Sequence, residues 1–472
     1  MAYCCIAIFF LFKLTHLAIP YYWDELGVYS KAALHMYDTG ITLLPGIIPP
    51  ELSRGHPLIC AAFFATAYRL FGPHVWVGHL AALAVSIVLL VIVYRGGKKL
   101  TNHATAMIAC LLLMLQPVFI AQSSMVLPEV LLALFSTVAI FTYIDNRFMV
   151  FAVSATLAIM TKETAIAIPV TIWSIEILRW FLDRKAEAIK AALAAFVPVA
   201  CWGAFLLLQK MAHDWYFFPL HTDYVSFSMD QIFSRWGYYV SFLLKGQGRF
   251  LWTVVLASAS FVYLLNRRPK LVDGIIEDVR LVLADKRPLL VLWVFICWGL
   301  VVSMLNFHLG RYSLFLLPSL CLLVAQSFFV IYENLKIGFF KPITVAVLLI
   351  MPLPYYASKI FNFDADMGFM NVVKMHSQAI EFLNRNYASG TVVMDSFPIN
   401  SCMLETRAGY NSKVFQHIDR SCDSPEKVDA EVFIYTFPGN LEYCTPNKGQ
   451  LSLVREFKSS FARVFIYEKK TI

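Results

Sequence analysis

Four groups of ionisable residues in this sequence adjoin long apolar segments, where charged side chains are costly and usually functional. Carboxylates in a partly dry environment can accept protons from a substrate, and lysine and arginine suit phosphate groups. The residue types therefore predict acid–base chemistry on a phosphate-bearing substrate. The groups are Asp24-Glu25 after Tyr21-Tyr22-Trp23, Arg54-Gly55-His56-Pro57, Leu127-Pro128-Glu129, and Thr161-Lys162-Glu163 together with His308, Arg311 and Tyr312.

Each group also has a purely structural interpretation. Asp24 and Glu25 could form a solvated turn beside an aromatic belt, and Arg54 and His56 could cap a helix. Lysine and arginine at span ends can extend toward the membrane surface. An unpaired carboxylate among apolar neighbours, as at Glu129, needs a partner, a proton, a metal or a substrate hydroxyl. The functional hypothesis therefore depends on whether the four groups meet in space.

The composition indicates a protein that is solvated mainly by lipid. Of 472 residues, 59% are hydrophobic, and the 39 Lys+Arg and 31 Asp+Glu make only 15% charged, against roughly 25% in soluble domains. The 39 Phe, 22 Tyr and 10 Trp exclude a disordered chain, and ten cysteines are too few for a disulfide scaffold. The net charge of +8 is spread over short loops, so it predicts membrane orientation and no nucleic-acid partner.

Apolar runs long enough to cross a bilayer predict a polytopic helix bundle. A span needs about 17 to 25 apolar residues, and we expect about 11 spans in a mainly α fold. The predicted spans are 2–20, 75–94, 104–121, 126–144, 148–161, 163–182, 190–208, 249–265, 288–306, 312–331 and 342–357.

The stretch 56–71 is apolar but short, and we predict that it is an amphipathic helix that does not span. With the N-terminus inside, this choice places basic loops such as Arg95–Lys99 and Arg267–Arg287 on the cytoplasmic side, as expected for membrane proteins. It places the loops 21–74 and 209–248 and the C-terminal tail (residues 358–472) outside. All four charged groups therefore share the outer face. A cleaved signal peptide is the alternative for residues 1–20, although no small-x-small site precedes Tyr21.

The last part of the chain differs in composition and predicts a second domain. Residues 1–357 are predicted to form the transmembrane catalytic domain and 358–472 a small extracytoplasmic α/β domain. Apolar residues recur at helical spacing from Val372 to Tyr387. We expect strands at Thr391–Phe397, Val414–Ile418, Glu431–Phe437 and Ala462–Tyr467. In an oxidising compartment one disulfide is expected among Cys402, Cys422 and Cys444, and the spacing does not indicate which pair.

At these residues the sequence resembles the GT-C membrane glycosyltransferases, specifically a bacterial branch related to protein O-mannosyltransferases and to the lipid A aminoarabinose transferase. The resemblance covers roughly residues 1–330 in motif order, and each motif alone is weak. The similar segments are Asp24-Glu25 after the first span, Gly55-His56-Pro57-Leu58, Phe71-Gly72, Leu127-Pro128-Glu129, Thr161-Lys162, and Arg311-Tyr312 with Pro318.

The resemblance implies transfer of a hexose or pentose from a polyprenyl-phosphate donor to a lipid A, protein or envelope-glycan acceptor. Asp24 is the implied base, and the reaction would be a single displacement with inversion. Glu25 and Glu129 would orient the acceptor or Asp24, or stabilise positive charge at the anomeric carbon. Lys162, Arg311, His56 and Arg54 would bind the donor phosphate. The implied location is the bacterial inner membrane, with the site and the tail on the extracytoplasmic side.

The sequence departs from the family pattern at three places. Leu58 replaces a second proline, Glu129 replaces an aspartate, and Gln122-Ser123-Ser124 replaces an expected basic residue, which leaves more phosphate charge to Lys162 and Arg311. Two or three carboxylates could hold a divalent metal, but no metal-ligand spacing is present, so no metal or other cofactor is predicted. The competing hypotheses are a transporter of lipid-linked glycans and a membrane scaffold that binds a partner through its outer domain.

Overall fold

The computed structural model describes residues 1–184, 186–266, 286–305, 309–335, 341–419 and 428–470. The predicted basic residues Arg267 and Arg280, the predicted site residue His308 and the candidate disulfide residue Cys422 lie outside these ranges. The described chain is mainly helical, with one small sheet near its C-terminus, as the sequence predicted.

Helices make up most of the described chain, and many of them are apolar. In the first half they are α1 (Ala2–Leu14), α2 (Ser30–Thr39), α3 (Pro50–Ser53), α4 (Ile59–Phe71), α5 (Val75–Leu100), α6 (His103–Met114), α7 (Pro117–Gln122), α8 (Pro128–Ile144), α9 (Phe148–Ile159) and α10 (Ala167–Asp183). They continue as α11 (Ala186–His213), α12 (Pro219–Thr222), α13 (Met229–Lys245), α14 (Phe250–Asn266), α15 (Lys286–Ser303), α16 (Leu317–Leu335), α17 (Lys341–Ile350), α18 (Met370–Asn386) and α19 (Ile399–Leu404).

Four described helical segments are long and apolar enough to cross a membrane by length and composition. They are Val75–Leu100, Glu163–Leu182, Ala186–His213 and Gly310–Asn334, and shorter apolar helices accompany them. The predicted spans correspond to these helices with shifted ends. The first helix ends at Leu14 where residues 2–20 were predicted as a span. The predicted span 104–121 is divided into α6 and α7, because Pro117 begins a new helix after the extended residue Gln116.

The C-terminal sheet has five strands in the order β2-β1-β3-β5-β4. Strands β1, β2 and β3 are parallel, and β5 pairs antiparallel with both β3 and β4. Four strands and the helix α18 confirm the sequence prediction, but β4 was not predicted. It is an edge strand whose residues are mostly exposed, so it lacks the apolar alternation of a half-buried strand. The strands are β1 (Val392–Met394), β2 (Gln416–Ile418), β3 (Val432–Phe437), β4 (Leu451–Lys458) and β5 (Arg463–Lys469).

One continuous apolar core joins the helix bundle to the inner side of the sheet. Leu89 and Phe119 of the bundle belong to the same buried cluster as Val372 of α18 and Ile434 of β3. The opposite face of the sheet has its own cluster around Phe433 and Tyr467. The boundary at residue 357 stays a prediction, and the shared core means that the tail packs directly on the bundle.

Candidate active site

The candidate site residues lie where regular helices begin or are interrupted. Asp24 directly precedes a π-helical turn, Glu25–Tyr29, and Glu129 lies in the first turn of α8 after Pro128. Lys162 precedes the 3-10 turn Glu163–Ile166, and Arg311 lies in the 3-10 turn Gly310–Leu316. Irregular backbone at membrane depth is tolerated where it is buried in protein or lines a cavity, and here it directs charged side chains to one place.

Arg311 contacts three carboxylates that are far apart in the sequence. Its Nε donates to Glu129 Oε1 at 3.1 Å, its Nη1 donates to Asp364 Oδ2, and its Nη2 donates to Asp24 Oδ2. The planar guanidinium presents its donors in a fixed arrangement, so each carboxylate takes a separate nitrogen. Arg311 is therefore the centre of the cluster that we define here as the Arg311 cluster: Asp24, Glu129, Lys162, Arg311 and Asp364.

Lys162 supplies the second cation of this cluster. Its Nζ donates to Glu129 Oε1 at 2.8 Å and lies 3.8 Å from the centre of the Tyr312 ring. Glu129 therefore accepts from both cations through one oxygen, whereas its Oε2 has no hydrogen-bond partner in the described part of the chain. This pairing satisfies the requirement that a buried carboxylate at this depth have a charged partner.

Three carboxylates and two cations give the Arg311 cluster an excess of negative charge. Burial raises the pKa of Asp364 to about 6, and the neighbouring Arg311 guanidinium opposes that rise. Asp364 Oδ1 has no hydrogen-bond partner among the described residues. Asp364 therefore takes up a proton at a higher pH than an ordinary aspartate does.

Only Asp24 among the carboxylates bonded to Arg311 is open to solvent. Its side chain is 28% exposed, whereas those of Glu129 and Asp364 are 1% exposed. Asp24 Oδ1 makes no hydrogen bond to any described residue, because its one bond uses Oδ2. A substrate hydroxyl can therefore reach Asp24, while Arg311 holds this carboxylate from the buried side.

Glu25 points away from the Arg311 cluster into a separate buried network. Its Oε1 accepts from the Val126 backbone N–H at 2.6 Å and lies 2.8 Å from His79 Nε2. The other ring nitrogen of His79 lies 2.9 Å from the Leu17 carbonyl, which can only accept. Glu25 therefore ties the segment after α1 to α5 and to the loop before α8, and so supports its neighbour Asp24.

Tyr21 extends the same network. Its hydroxyl lies 2.6 Å from that of Tyr68 in α4, and both side chains are buried. Gly78 of α5 is needed here, because a Cβ at this position would lie 2.5 Å from the Tyr68 hydroxyl and 2.6 Å from Val126. Three elements thus approach closely around the chain segment that carries Asp24.

The predicted residues Arg54 and His56 lie in a neighbouring, partly exposed group. His56 Nδ1 is 3.3 Å from the Glu163 carboxylate, and its ring is 4.9 Å from that of His221 in α12. Arg54 has a left-handed backbone, with φ +47°, and makes no ion pair with any residue that the structure describes. Burial and the nearby His56 lower the pKa of His221 to about 4, so α12 places a neutral ring beside His56.

The sequence motifs do not identify Asp364, His79 or His221 as site residues. Asp364 had a usable signal, since it follows Phe361 and Phe363 directly after the last predicted span, much as Asp24 follows three aromatic residues. His79 and His221 had none, because a single histidine in an apolar helix or a polar loop is common. Within the described ranges, no group of three or more His, Cys, Asp or Glu could hold a metal ion.

The bonding states of two cysteines near the sheet test part of the disulfide prediction. Cys444 is disulfide-bonded, whereas Cys402 carries a free, buried thiol. Its Sγ lies 3.8 Å from His376 Nδ1. The pair that was left open in the sequence therefore does not include Cys402.

One family model matches part of the chain. Residues 55–202 match the family described as dolichyl-phosphate-mannose-protein mannosyltransferase. This segment contains the candidate site residues His56, Glu129 and Lys162, and it begins one residue after Arg54. No curated protein sequence matches the chain significantly.

Solved structures share the architecture over nearly the whole chain. ArnT from Cupriavidus metallidurans in the apo state matches with a TM-score of 0.58 and 10% identity, covering 99% of this chain and 98% of that one. The same protein bound to undecaprenyl phosphate matches with a TM-score of 0.55 and 11% identity, covering 98% and 97%. The Archaeoglobus fulgidus oligosaccharyltransferase in complex with Zn and sulfate gives 0.52 and 10%, covering 92% and 67%.

At such low identity these structures establish the fold and nothing finer. The four long apolar helices and the shorter ones that accompany them indicate an integral membrane protein. The chain shares its fold with ArnT from Cupriavidus metallidurans, and its residues 55–202 match the family described as dolichyl-phosphate-mannose-protein mannosyltransferase.

Proposed function

We propose that this protein is a membrane glycosyltransferase that moves a sugar from a polyprenyl-phosphate donor to a hydroxyl group of an acceptor. The observation that carries the proposal is Asp24, a solvent-accessible carboxylate held from behind by the buried Arg311. Two findings support the donor class. The matching family is described by a dolichyl-phosphate-mannose substrate, and ArnT with the same fold binds undecaprenyl phosphate.

Asp24 is the proposed general base. Its free Oδ1 accepts the proton of the acceptor hydroxyl while the hydroxyl oxygen attacks the anomeric carbon. The bond between that carbon and the phosphate oxygen breaks, and the polyprenyl phosphate leaves with the electron pair. A phosphate needs little acid assistance to depart, so one base suffices, unlike glycoside hydrolysis with its two carboxylates. A single displacement of this kind inverts the anomeric configuration.

Glu129 and Glu25 support this base in different ways. Glu129 shares Arg311 with Asp24 and also holds Lys162, so it sets the position of both cations. It also adds negative charge close to the anomeric carbon, where positive charge develops during transfer. Glu25 fixes the backbone beside Asp24 through Val126 and His79. Neither of these carboxylates needs to touch the acceptor.

The donor phosphate is proposed to bind on the cationic side of the cluster. Lys162 and Arg311 are buried and already paired with carboxylates, so they limit the negative charge that the leaving phosphate would meet there. Arg54 and His56 are more accessible and lie in the adjacent loop. They are the groups that a lipid phosphate can contact first. The reaction as proposed uses no metal or other cofactor.

The acceptor and the membrane side belong to the proposal as well. We propose that transfer occurs at the extracytoplasmic face of a bacterial inner membrane, with the C-terminal α/β region on that side. The acceptor would be lipid A, a protein or an envelope glycan. The apolar faces of the helices would hold the prenyl chain of the donor within the membrane.

A labelled-donor experiment tests the function directly. Purified protein in lipid is incubated with radiolabelled polyprenyl-phosphate sugars and envelope fractions, and the labelled product is identified. Asp24→Asn should reduce transfer by about 100-fold or more, the range of a general base, while binding of undecaprenyl phosphate persists. Asp38→Asn is the matched control, because Asp38 lies in the same outer segment and pairs with Arg407 at the surface.

The same experiment separates the two alternatives. A transporter would move the labelled lipid across the bilayer without forming a new glycosidic bond, and Asp24→Asn would leave the chemical identity of the label unchanged. The scaffold hypothesis expects the charged groups to lie apart, whereas Asp24 and Arg311 are in direct contact. Full transfer activity in Asp24→Asn would disprove the proposed base.

A further inference from the structure

Asp364 comes from the tail and is held in the bundle by two buried glutamines. The Gln122 side chain, at the end of α7, donates to the Asp364 carbonyl at 2.8 Å. The Gln247 side chain, between α13 and α14, donates to the next carbonyl, that of Ala365, at 2.7 Å. The backbone at this residue and the next is thus fixed by two segments that are distant in the sequence. Such anchoring determines where the carboxylate of Asp364 points.

That carboxylate occupies one edge of the Arg311 guanidinium. Arg311 Nη1 donates to Asp364, Nη2 donates to Asp24, and Nε donates to Glu129 at 3.1 Å. An arginine and a single carboxylate otherwise tend to form a bidentate pair with two parallel hydrogen bonds. If Asp364 did not hold Nη1, Asp24 could take both terminal nitrogens and would engage both of its oxygens. Its Oδ1 would then be lost as a proton acceptor.

We propose that Asp364 is a positioning residue of the transfer site, which orients Arg311 so that Asp24 keeps one oxygen free for the acceptor hydroxyl. This inference rests on the proposed function and adds a residue that the sequence motifs do not contain. It also gives the tail a defined part in the reaction, since the tail supplies a side chain that completes the Arg311 cluster. Asp364 is buried and does not contact the substrate itself.

The rate of transfer should depend on pH through the ionisation of Asp364. Burial raises the pKa of Asp364 to about 6, so this carboxylate is ionised above that pH and gains a proton below it. A protonated Asp364 holds Arg311 less strongly, and Asp24 then competes for the guanidinium. Transfer by the wild-type protein should therefore decline as the pH falls through about 6.

Asp366 offers a matched control two residues further along the chain. It is as buried as Asp364, but its carboxylate accepts from the backbone of Ser358 at 3.1 Å and of Gly368 at 2.7 Å, and from the Asn362 amide at 2.9 Å. It makes no ion pair with any described residue. Substitution of Asp366 disturbs the same segment without removing a charge from Arg311.

The test compares Asp364→Asn and Asp366→Asn in the full-length protein, with initial rates measured from pH 5 to pH 8. Asp364→Asn should lower kcat by about 100-fold, the cost of misplacing a reacting group by about 1 Å, with little change in KM for the donor. Its profile should lose the decline near pH 6. Asp366→Asn should lower the Tm yet keep that decline. Wild-type kcat in Asp364→Asn, or equal losses in both variants, would overturn the inference.

A thermal double-mutant cycle with Arg311→Lys gives a readout that does not depend on catalysis. If Asp364 orients Arg311, Asp364→Asn should lower the Tm much less when Arg311 is already replaced. If wild-type protein transfers no sugar from any labelled donor, the proposed function fails. Additive Tm losses would then overturn the orientation of Arg311 by Asp364 as well, whereas coupled losses would retain it.

Discussion

The backbone carbonyl of Ala408 accepts a hydrogen bond of 2.9 Å from the backbone N–H of Tyr21. The same two segments are joined again where the Tyr410 hydroxyl donates to the Tyr21 carbonyl at 3.2 Å. Tyr21 is three residues before Asp24, so the tail directly supports the segment that carries the proposed base. The position of Asp24 is therefore expected to depend on how the tail docks.

Gly409 tests this dependence. It has φ +92°, and a Cβ there would lie 3.1 Å from Pro20 and from Val75. We expect Gly409→Ala to displace the tail from the Asp24 segment and to lower kcat by about 10-fold or more, since small misplacements of a reacting group are costly. The measurement is the initial rate of sugar transfer at saturating donor.

Gly390→Ala is the control for Gly409→Ala. Gly390 has almost the same backbone, with φ +90°, but nothing lies within 4 Å of a Cβ at that position. Both variants therefore carry similar backbone strain in the left-handed region. Equal losses of activity in the two variants would show that strain, and not docking on Tyr21, controls the site.

Breaking the buried pair between Lys162 and Glu129 should be strongly destabilising. Both side chains are buried and their charged atoms are 2.8 Å apart, so Lys162→Met leaves a buried carboxylate with one cation fewer. The expected cost is about 3–5 kcal/mol, which thermal unfolding in detergent would report as a lower Tm. Lys210→Met should change the Tm little, because Lys210 and Asp214 form an exposed pair within one helical turn.

A second substitution distinguishes charge from packing at this pair. The double variant Lys162→Met with Glu129→Gln removes both the cation and the carboxylate that it neutralises. It should recover much of the Tm lost in the single variant, because the Arg311 cluster then returns to the charge balance that it has in the wild-type protein. Lack of recovery would mean that Lys162 acts mainly through its contact with the Tyr312 ring.

His79 should control transfer without contacting substrate. His79→Leu removes the partner of Glu25 Oε1 and leaves a buried carboxylate that keeps only its backbone donors, so the segment before α2 should shift. We expect a lower kcat with an unchanged KM for the donor, measured by initial rates. His79→Gln retains a side-chain donor and should recover part of kcat, whereas equal activity of both variants would contradict this role.

The tail should lose stability in acid because of His376. Burial lowers the pKa of His376 from 6.5 to about 4, and its Nε2 has no hydrogen-bond partner in the described ranges. The unfolded chain therefore takes up a proton between pH 6.5 and 4 that the folded tail does not. The free energy of unfolding of the tail is therefore unaffected by protonation of His376 above pH 6.5. As the pH falls toward 4, it decreases by about 1.4 kcal/mol per pH unit.

Hydrogen exchange of α18 in the full-length protein measures this effect. The free energy of opening for α18 (Met370–Asn386) should fall by about 3 kcal/mol between pH 6.5 and pH 4. His376→Phe removes the titrating group and should flatten the dependence. An unchanged slope in that variant would assign the acid sensitivity to other groups of the tail.

The helical architecture could be predicted from the sequence, because hydrophobic length and the spacing of apolar residues are local properties that a single segment displays. It also identified Asp24, Glu129, Lys162 and Arg311 as unusual, since charges beside apolar runs are costly wherever the chain later places them. Short strands with clear apolar alternation were predictable for the same local reason. The exposed edge strand β4 was not, because its pattern resembles that of a loop.

Which of these charges meet could not be predicted from the sequence and depends on how the helices and the tail pack together. Asp24 and Glu25 are adjacent in the sequence, yet one joins Arg311 and the other joins His79, because successive side chains of a helical turn point about 100° apart. Asp364 reaches Arg311 only because Gln122 and the tail fix its backbone against the bundle. Contacts between residues that are tens to hundreds of positions apart depend on packing, and a single sequence carries no local signal of that packing.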